Sequence, residues 1–559
     1  MPWRVMESYD SYETARESFS WDLPDRYNPA VDLLRDQPDP EREALRYCPP
    51  ANSNTDSSVP PAVERSYSFR ELDIRSSKLA NGLRELGIEA GDRVGVVIPQ
   101  KPANPLTHLA NWKLGAVSVP LTVLFGQDAL QYRLSDSDAR AVVVDSAVTK
   151  TVTDIKEDCP SLEHVIELGD SSRESSIGFE TLIADQPPET EIYDSTPETP
   201  SAIMYTSGST GPPKGVLHSH ALWLGRAAAA FNYFDQTLTE GTLWTPADWA
   251  WGAALGGTLF AGWHYGATVV GWPRSEFDPA QVFAHLAQQE ITHAFMPPTA
   301  LRLLMDISDP EGTYDLSLQT LAAAGEPLTP EIMDWVDESF DSVSLNEFYG
   351  QTELNLCVGN CSRWFDSQAG SMGKPLPGYE IAVLDPGTHE SCNAETIGEI
   401  AVKPADDRIF FTEYWNNPQA TAEKQTAGGW YLTGDLAKQD DDGYLWFLSR
   451  KDDIILTKGY RVGPTEIERT ILSHPRVEQV GVIGVPDDTV GEEIHAYIVL
   501  TGKEAIAHDE IRDEIRELVR ERLAQYEYPA AIHIVDSLPQ TSTGKIQRNE
   551  LRNRWESDN

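Results

Sequence analysis

Apolar positions in the first half of the chain switch between two periods. Ser76 to Leu86 sets Leu79, Leu83 and Leu86 at helical spacing, and Arg93 to Ile98 is an apolar run of strand length. Leu106 to Leu114 reads as helix, and Arg140 to Asp145 (Arg-Ala-Val-Val-Val-Asp) as strand. This alternation predicts an α/β fold, a parallel sheet covered on both faces. Residues 1–65 are polar and rich in Asp, Pro and Tyr, and read as an extended arm on the surface of a larger domain. Residues 160–195 read as an acidic, irregular edge. Beyond Arg461 the segments shorten: a helix near Pro464 to Leu472, strands near Val480 to Val485 and His495 to Leu500, and a helix from Asp509 to Gln525. Ile511, Ile515, Leu518 and Leu523 of that last helix read as ordinary core. A second, small α+β domain of about a hundred residues is the expectation there.

Ala202 to Met204 has the pattern of a buried strand end. It leads into Tyr-Thr-Ser-Gly-Ser-Thr-Gly-Pro-Pro-Lys-Gly at Tyr205 to Gly215. Glycines let a backbone curl so that several N–H groups point at one anion. Thr206, Ser207, Ser209 and Thr210 add hydroxyl donors and Lys214 a charge. The stretch has neither the spacing of a Walker A loop nor that of a dinucleotide-binding turn. A flexible Ser/Gly linker is the plainer alternative, but linkers rarely follow a buried strand or carry Lys after Pro-Pro. His220 to Phe234 reads as a helix whose amino end is expected near this cradle, where its dipole would favour an anion.

Trp244 to Trp251, followed by a Gly/Ala-rich helix through Gly262, reads as core packing or as the wall of an apolar tunnel. Ala322 to Pro327 (Ala-Ala-Ala-Gly-Glu-Pro) follows a strand, and Gly325 would let a flat ring approach. Glu347 to Glu353 (Glu-Phe-Tyr-Gly-Gln-Thr-Glu) offers an aromatic face, a hydroxyl and a carboxylate. Magnesium often takes only one or two carboxylates beside substrate phosphates. Trp430 to Asp435 ends in a carboxylate after a glycine, able to accept ribose hydroxyls. Arg450 to Arg461 and Pro539 to Arg548, the latter with Lys545 at a glycine turn, complete the set.

The chain has 559 residues, 88 acids against 44 bases and a formal net charge of −44. The acids are spread through well-patterned sequence, which argues against disorder. With 14 lysines against 30 arginines, the deficit falls on lysine. This composition points to a halophilic protein working in molar salt, where the screening length is about 3 Å. Binding of an anionic small molecule is then not opposed, whereas the lack of a basic stripe argues against nucleic acid. Cys48, Cys159, Cys357, Cys361 and Cys392 lack metal-site spacing, so buried thiols are expected. With no run of 18 apolar residues, no membrane span is expected, and a soluble, cytoplasmic protein is.

Six separated motifs, in this order, resemble those of the adenylate-forming superfamily. The chain is most similar to AMP-forming acyl-CoA synthetases of the medium-chain type, with acetyl-CoA synthetase more distant. The resemblance implies an N-terminal domain at 1–451, a mobile C-terminal domain at 452–559 and a hinge at Asp452. It implies ligation of a carboxylic acid to coenzyme A through an acyl-AMP, with ATP and coenzyme A as substrates and Mg²⁺ as metal. Thr206, Ser207, Gly208, Ser209, Thr210 and Lys214 would hold phosphates. Gly325, Glu326 and Pro327, with Glu347, Phe348, Tyr349, Gly350 and Gln351, would surround adenine. Thr352 would touch the α-phosphate, Glu353 the metal, and Asp435 and Arg450 the ribose. Lys545 would bridge the acid and the α-phosphate, and Arg461 would act in the second step. Lys458, Gly459 and Tyr460 would flank the coenzyme A channel, and Trp249, Trp251 and Gly350 would line the acyl pocket. Acetyl-CoA synthetase has a tryptophan where Gly350 stands, which implies an acid longer than acetate. Val490-Gly491 and Glu527-Tyr528-Pro529-Ala530 depart from the basic residues usual at the coenzyme A end. The rival readings are an adenylation enzyme loading a carrier protein and a non-catalytic nucleotide-binding relative. The partners expected are small molecules, with a homo-oligomer left open.

Overall fold

A computed structural model describes residues 3–49, 62–169, 175–206, 212–239, 241–274, 276–326, 328–457, 460–487, 490–501, 508–524, 527–540 and 545–558. Its first sheet has eight strands, with Arg93–Val97 between Val117–Leu121 and Ala139–Val144, all three parallel. Arg93–Val97 and Ala139–Val144 are the Val-rich runs predicted above, whereas Val117–Leu121 was not foreseen. Their residues are buried on both faces because helices cover the sheet, which is why the runs are continuous rather than alternating. Helix Phe69–Glu85 starts at a capping box: the Ser68 hydroxyl accepts from the Glu71 N–H, and the Glu71 carboxylate accepts from the Ser68 N–H. A second sheet has nine strands and carries Thr320–Ala323 beside Ser344–Gln351. A four-stranded antiparallel sheet contains Tyr431–Gln439 and Leu445–Arg450. Strands from Ile455 onward belong to a fourth sheet with its own core around Ile467, Val482, Ile511 and Ile515.

Two expectations are corrected. The amino-terminal segment is not a surface arm. Helices Tyr12–Ser18 and Pro29–Leu34 form within it, and Glu43–Tyr47 is a strand of the nine-stranded sheet. Met6, Leu33 and Leu45 are almost fully buried. Its apolar residues are few, but Val5, Met6, Trp21, Leu33 and Leu45 are seated in the main core, and His264 locks the segment through Asp32 at 2.8 Å. Residues 160–195 do form the sheet edge, but with regular elements: His164–Glu167, Ile177–Gly178 and helix Phe179–Ala184.

The second correction concerns the glycine-rich stretch. Strand Lys214–Ser219 follows it and pairs antiparallel with Pro200–Thr206, Thr206 opposite Lys214 and Pro200 opposite Ser219. Helix Ala221–Tyr233 therefore begins at the far end of a six-residue strand, roughly 20 Å from the loop at 3.3 Å per residue. Its amino end cannot serve an anion at that loop.

Candidate active site

A cleft of ≈ 2420 Å³ opens where the ends of these strands meet the C-terminal segment that carries Lys545. Lys214 Nζ stands 5.2 Å from the centre of the Tyr414 ring. The Tyr414 hydroxyl donates to Glu353 Oε1 at 2.7 Å. Burial raises the Tyr414 hydroxyl well above the usual phenol range, and the Glu353 carboxylate adds to it, so Tyr414 acts as a fixed donor. The other Glu353 oxygen has no hydrogen-bond partner among the described residues. One available carboxylate oxygen beside Thr206 and Lys214 suits a cation that takes most of its ligands from phosphate and water.

On the facing wall, Asp435 is buried in strand Tyr431–Gln439 just after Gly434, whose φ is +77°. Its Oδ2 accepts from the Tyr349 hydroxyl at 2.6 Å and from Gln351 Nε2 at 2.7 Å. Gln351 Nε2 also donates to the Thr433 carbonyl at 2.9 Å. Phe348 stacks on Tyr233 with ring centres 4.1 Å apart. One strand from each of two sheets and the helix Ala221–Tyr233 are thus tied into a rigid wall by groups from a single motif, Glu347 to Gln351. Glu347 is buried, and burial pushes its carboxyl up to about 8, against the pull of the Arg469 cation.

Lys545 enters the same cleft from the other end of the chain. A Cβ placed on Gly325 would lie 3.9 Å from Lys545 Cε, and Gly325 has φ +98°, so backbone conformation alone requires glycine there. Lys545 is surrounded by protein but stays accessible through the open cleft. Burial lowers its pKa from the usual lysine value, while Asp435 and Glu326 oppose that shift. Glu326 accepts from the Thr299 hydroxyl at 2.7 Å. Thr206, Lys214, Gly325, Glu326, Glu347 to Glu353, Asp435, Arg450, Asp452 and Lys545 all line this one cleft.

Some expected residues fall elsewhere. Trp249 does not line the cleft: it is fully buried, and a Cβ on Gly271 would meet its ring at 2.9 Å. It is core, whereas Trp251 does face the cleft. Gly350 lines it too, but a Cβ there would meet the Asn355 carbonyl oxygen at 1.9 Å. The tight return from Ser344–Gln351 to Asn355–Gly359 dictates this glycine, so its missing side chain is not in itself a statement about acid length. Tyr460 is 52% exposed on its strand. Ser207, Gly208, Ser209, Thr210, Pro327, Lys458 and Gly459 lie outside the described residues, as does the side chain of Arg461.

Sequence reasoning missed several cleft cations, Lys424, Arg469 and Arg226 among them. Lys424 sits 5.6 Å from the Tyr431 ring centre; burial lowers its pKa, and Glu353 opposes this. Arg469, on helix Pro464–Leu472, donates to the Gly370 carbonyl at 3.3 Å across to the large body. Arg226 reaches the cleft from helix Ala221–Tyr233. None belongs to a motif; each reaches the site only through the fold.

Comparison with known proteins agrees with this geometry. Residues 37–415 match the AMP-binding enzyme family and residues 466–545 its C-terminal domain. The chain is 32% identical to the acyl-coenzyme A synthetase ACSM3, mitochondrial, of Mus musculus, over 98% of this chain and 94% of that protein. It is 35% identical to the acetyl-coenzyme A synthetase of Bacillus subtilis, over 88% and 86%. Among solved structures, an anthranilate CoA ligase, AuaEII, in complex with anthranoyl-AMP aligns with TM-score 0.85 at 28% identity, covering 96% of this chain and 99% of that one. The chain belongs to the AMP-binding enzymes and, within them, to the adenylate-forming acyl-CoA synthetases, which are acid–thiol ligases.

Proposed function

We propose that the chain activates a carboxylic acid longer than acetate as an acyl-adenylate and passes the acyl group to the thiol of coenzyme A. In the first half-reaction a carboxylate oxygen bonds to the α-phosphorus of ATP as the bond to the pyrophosphate oxygen breaks. In the second, the thiol sulfur bonds to the acyl carbon, AMP leaves and the thiol proton passes to solvent. The observation that carries the reading is Lys545 beside Gly325, in one cleft with Asp435 and Glu353. Attack of one anion on another needs cations aimed at the charge gathering between them. Lys545 and Lys214 would supply it, and Mg²⁺ held at Glu353 would neutralise pyrophosphate charge. The Tyr349–Gln351–Asp435 wall would hold adenine and ribose. Apolar lining from Trp251, Phe295, Leu356 and Met372 supports an acid with more carbon than acetate. Each methylene buried there would add about 0.8 kcal/mol.

Lys545 must leave before the thiol can approach, and Asp452, beside Asp453 in the short turn Lys451–Asp453, is the proposed hinge. The halophilic reading rests on the charge of −44. Lys545→Ala tests the reaction: acid-dependent ATP–pyrophosphate exchange should fall by about 10²-fold or more while ATP still binds. Unchanged exchange would sink the proposal. Transfer to a carrier protein in place of coenzyme A would favour the rival adenylation reading.

A further inference from the structure

Arg226 is an anomaly in the cleft wall. It is 3% exposed in the middle of a helix whose thirteen residues are all buried. Its Nε has no hydrogen-bond partner, and no carboxylate pairs with its guanidinium among the described residues. The titratable groups that face it are two phenols, Tyr233 and Tyr379, and the imidazole of His218, none of them an anion, and the Tyr379 hydroxyl is itself buried without a partner. Burial lowers the guanidinium to about 10, so it stays charged at neutral pH.

The surroundings are built to admit this side chain. A Cβ on Gly252 would lie 2.9 Å from Arg226 Nη2, and one on Gly256 3.0 Å from its Cγ and Cδ. Gly256 lies in a π-helical stretch, Leu255–Phe260, that interrupts the helical run from Gly252 to His264. Such widened turns recur at functional sites. Arg226 shares the cleft wall with Trp251, Ala253, Phe295 and Met372. A buried cation among apolar groups is costly unless it meets an anion, and none of the described residues supplies one.

We propose that the anion arrives with the acid: the substrate is a dicarboxylic acid whose far carboxylate pairs with Arg226 while the near one reacts. This rests on the ligase reading above and names its substrate class. The far carboxylate is not consumed. It fixes the acid's length and orientation, and Arg226 is a specificity residue.

The test pairs dicarboxylates from malonate to suberate with monocarboxylates of equal carbon number, assayed by coenzyme A-dependent AMP release in molar KCl. Wild type should prefer its best dicarboxylate by about tenfold or more in kcat/KM, because an unmet polar group in the site rejects the wrong ligand. Arg226→Met should abolish that preference chiefly through KM, and Arg226→Lys should keep part of it. Stabilisation of each variant by ATP in thermal unfolding reports whether it has folded, and the wild-type panel decides independently of either variant. A wild-type preference for monocarboxylates, or an undiminished dicarboxylate preference in folded Arg226→Met, overturns the inference and leaves the ligase reading standing. Activity with no acid removes both.

Discussion

Asp435 and Arg450 are cross-strand partners in one antiparallel pair, with Arg450 Nη1 3.2 Å from Asp435 Oδ1. The contact is an ion pair without hydrogen-bond alignment, and Oδ1 is buried with its hydrogen-bonding capacity unmet. Since Oδ2 is already taken by Tyr349 and Gln351, Oδ1 is the atom left for a ligand hydroxyl. Asp435→Asn should raise the KM for ATP by roughly 10- to 100-fold, the worth of a hydrogen bond to a charged group, with kcat less affected. Initial-rate kinetics at saturating acid check this, and an unchanged KM would remove Asp435 from the nucleotide site.

Arg548 ties Asp453, next to the proposed hinge residue Asp452, to the segment carrying Lys545. It bonds Asp453 Oδ2 at 3.0 Å and Glu468 Oε2 at 2.6 Å, while Arg552 holds Asp453 Oδ1 at 3.1 Å. Arg548→Met leaves the buried Glu468 without its cation and part-buried Asp453 with Arg552 alone, and its cost should be about 3 kcal/mol in stability of the C-terminal domain. Adenylation should fall with it, since Lys545 is three residues away, whereas ATP binding to the large body should persist. Calorimetry and ATP titration separate the two effects; joint loss of ATP binding would contradict this division of labour.

Asp452→Pro tests the hinge. A fixed φ should block rotation, leaving acid-dependent pyrophosphate exchange within about threefold of wild type, a shift of under 1 kcal/mol in the barrier, and stopping thioester formation. Equal loss in both half-reactions would place the pivot elsewhere.

Glu347 gives a pH signature. Burial pushes its carboxyl up to about 8, above the ordinary value near 4.3. Between those values the folded chain keeps a proton that the unfolded chain releases. This group therefore lowers stability as pH rises through that window, by up to roughly 1.4 kcal/mol per pH unit. Glu347→Gln should raise the unfolding temperature relative to wild type more at pH 8 than at pH 5, measured without nucleotide. A gain that does not change with pH would mean that the carboxyl does not titrate in that window.

Salt should be a structural requirement. With a formal charge of −44, dilution from molar KCl to about 0.1 M lengthens the screening distance from about 3 to 10 Å. Unfolding temperature should fall steeply over that range. A flat profile would overturn the halophilic reading.

The Glu347–Glu353 motif, Gly325, Gly434-Asp435 and Lys545, which line the cleft, could all be picked out along the chain. Each is a local sequence that meets a local demand: positive φ at Gly325 and Gly434, strand pairing around Asp435, hydroxyls and carboxylates in a fixed order. The Val-rich strands were legible for the same reason, since burial on both faces leaves an unbroken apolar run. What the sequence could not decide was which side chains converge. Trp249 and Trp251 are two residues apart, and only the path of the chain sends one into the core and the other into the cleft. Lys424, Arg469 and Arg226 carry no motif and come from three distant helical segments. Their charges acquire meaning only when packing removes water and sets them against Glu353, Glu347 or nothing at all, because the cost of a charge depends on its surroundings rather than on its neighbours in sequence.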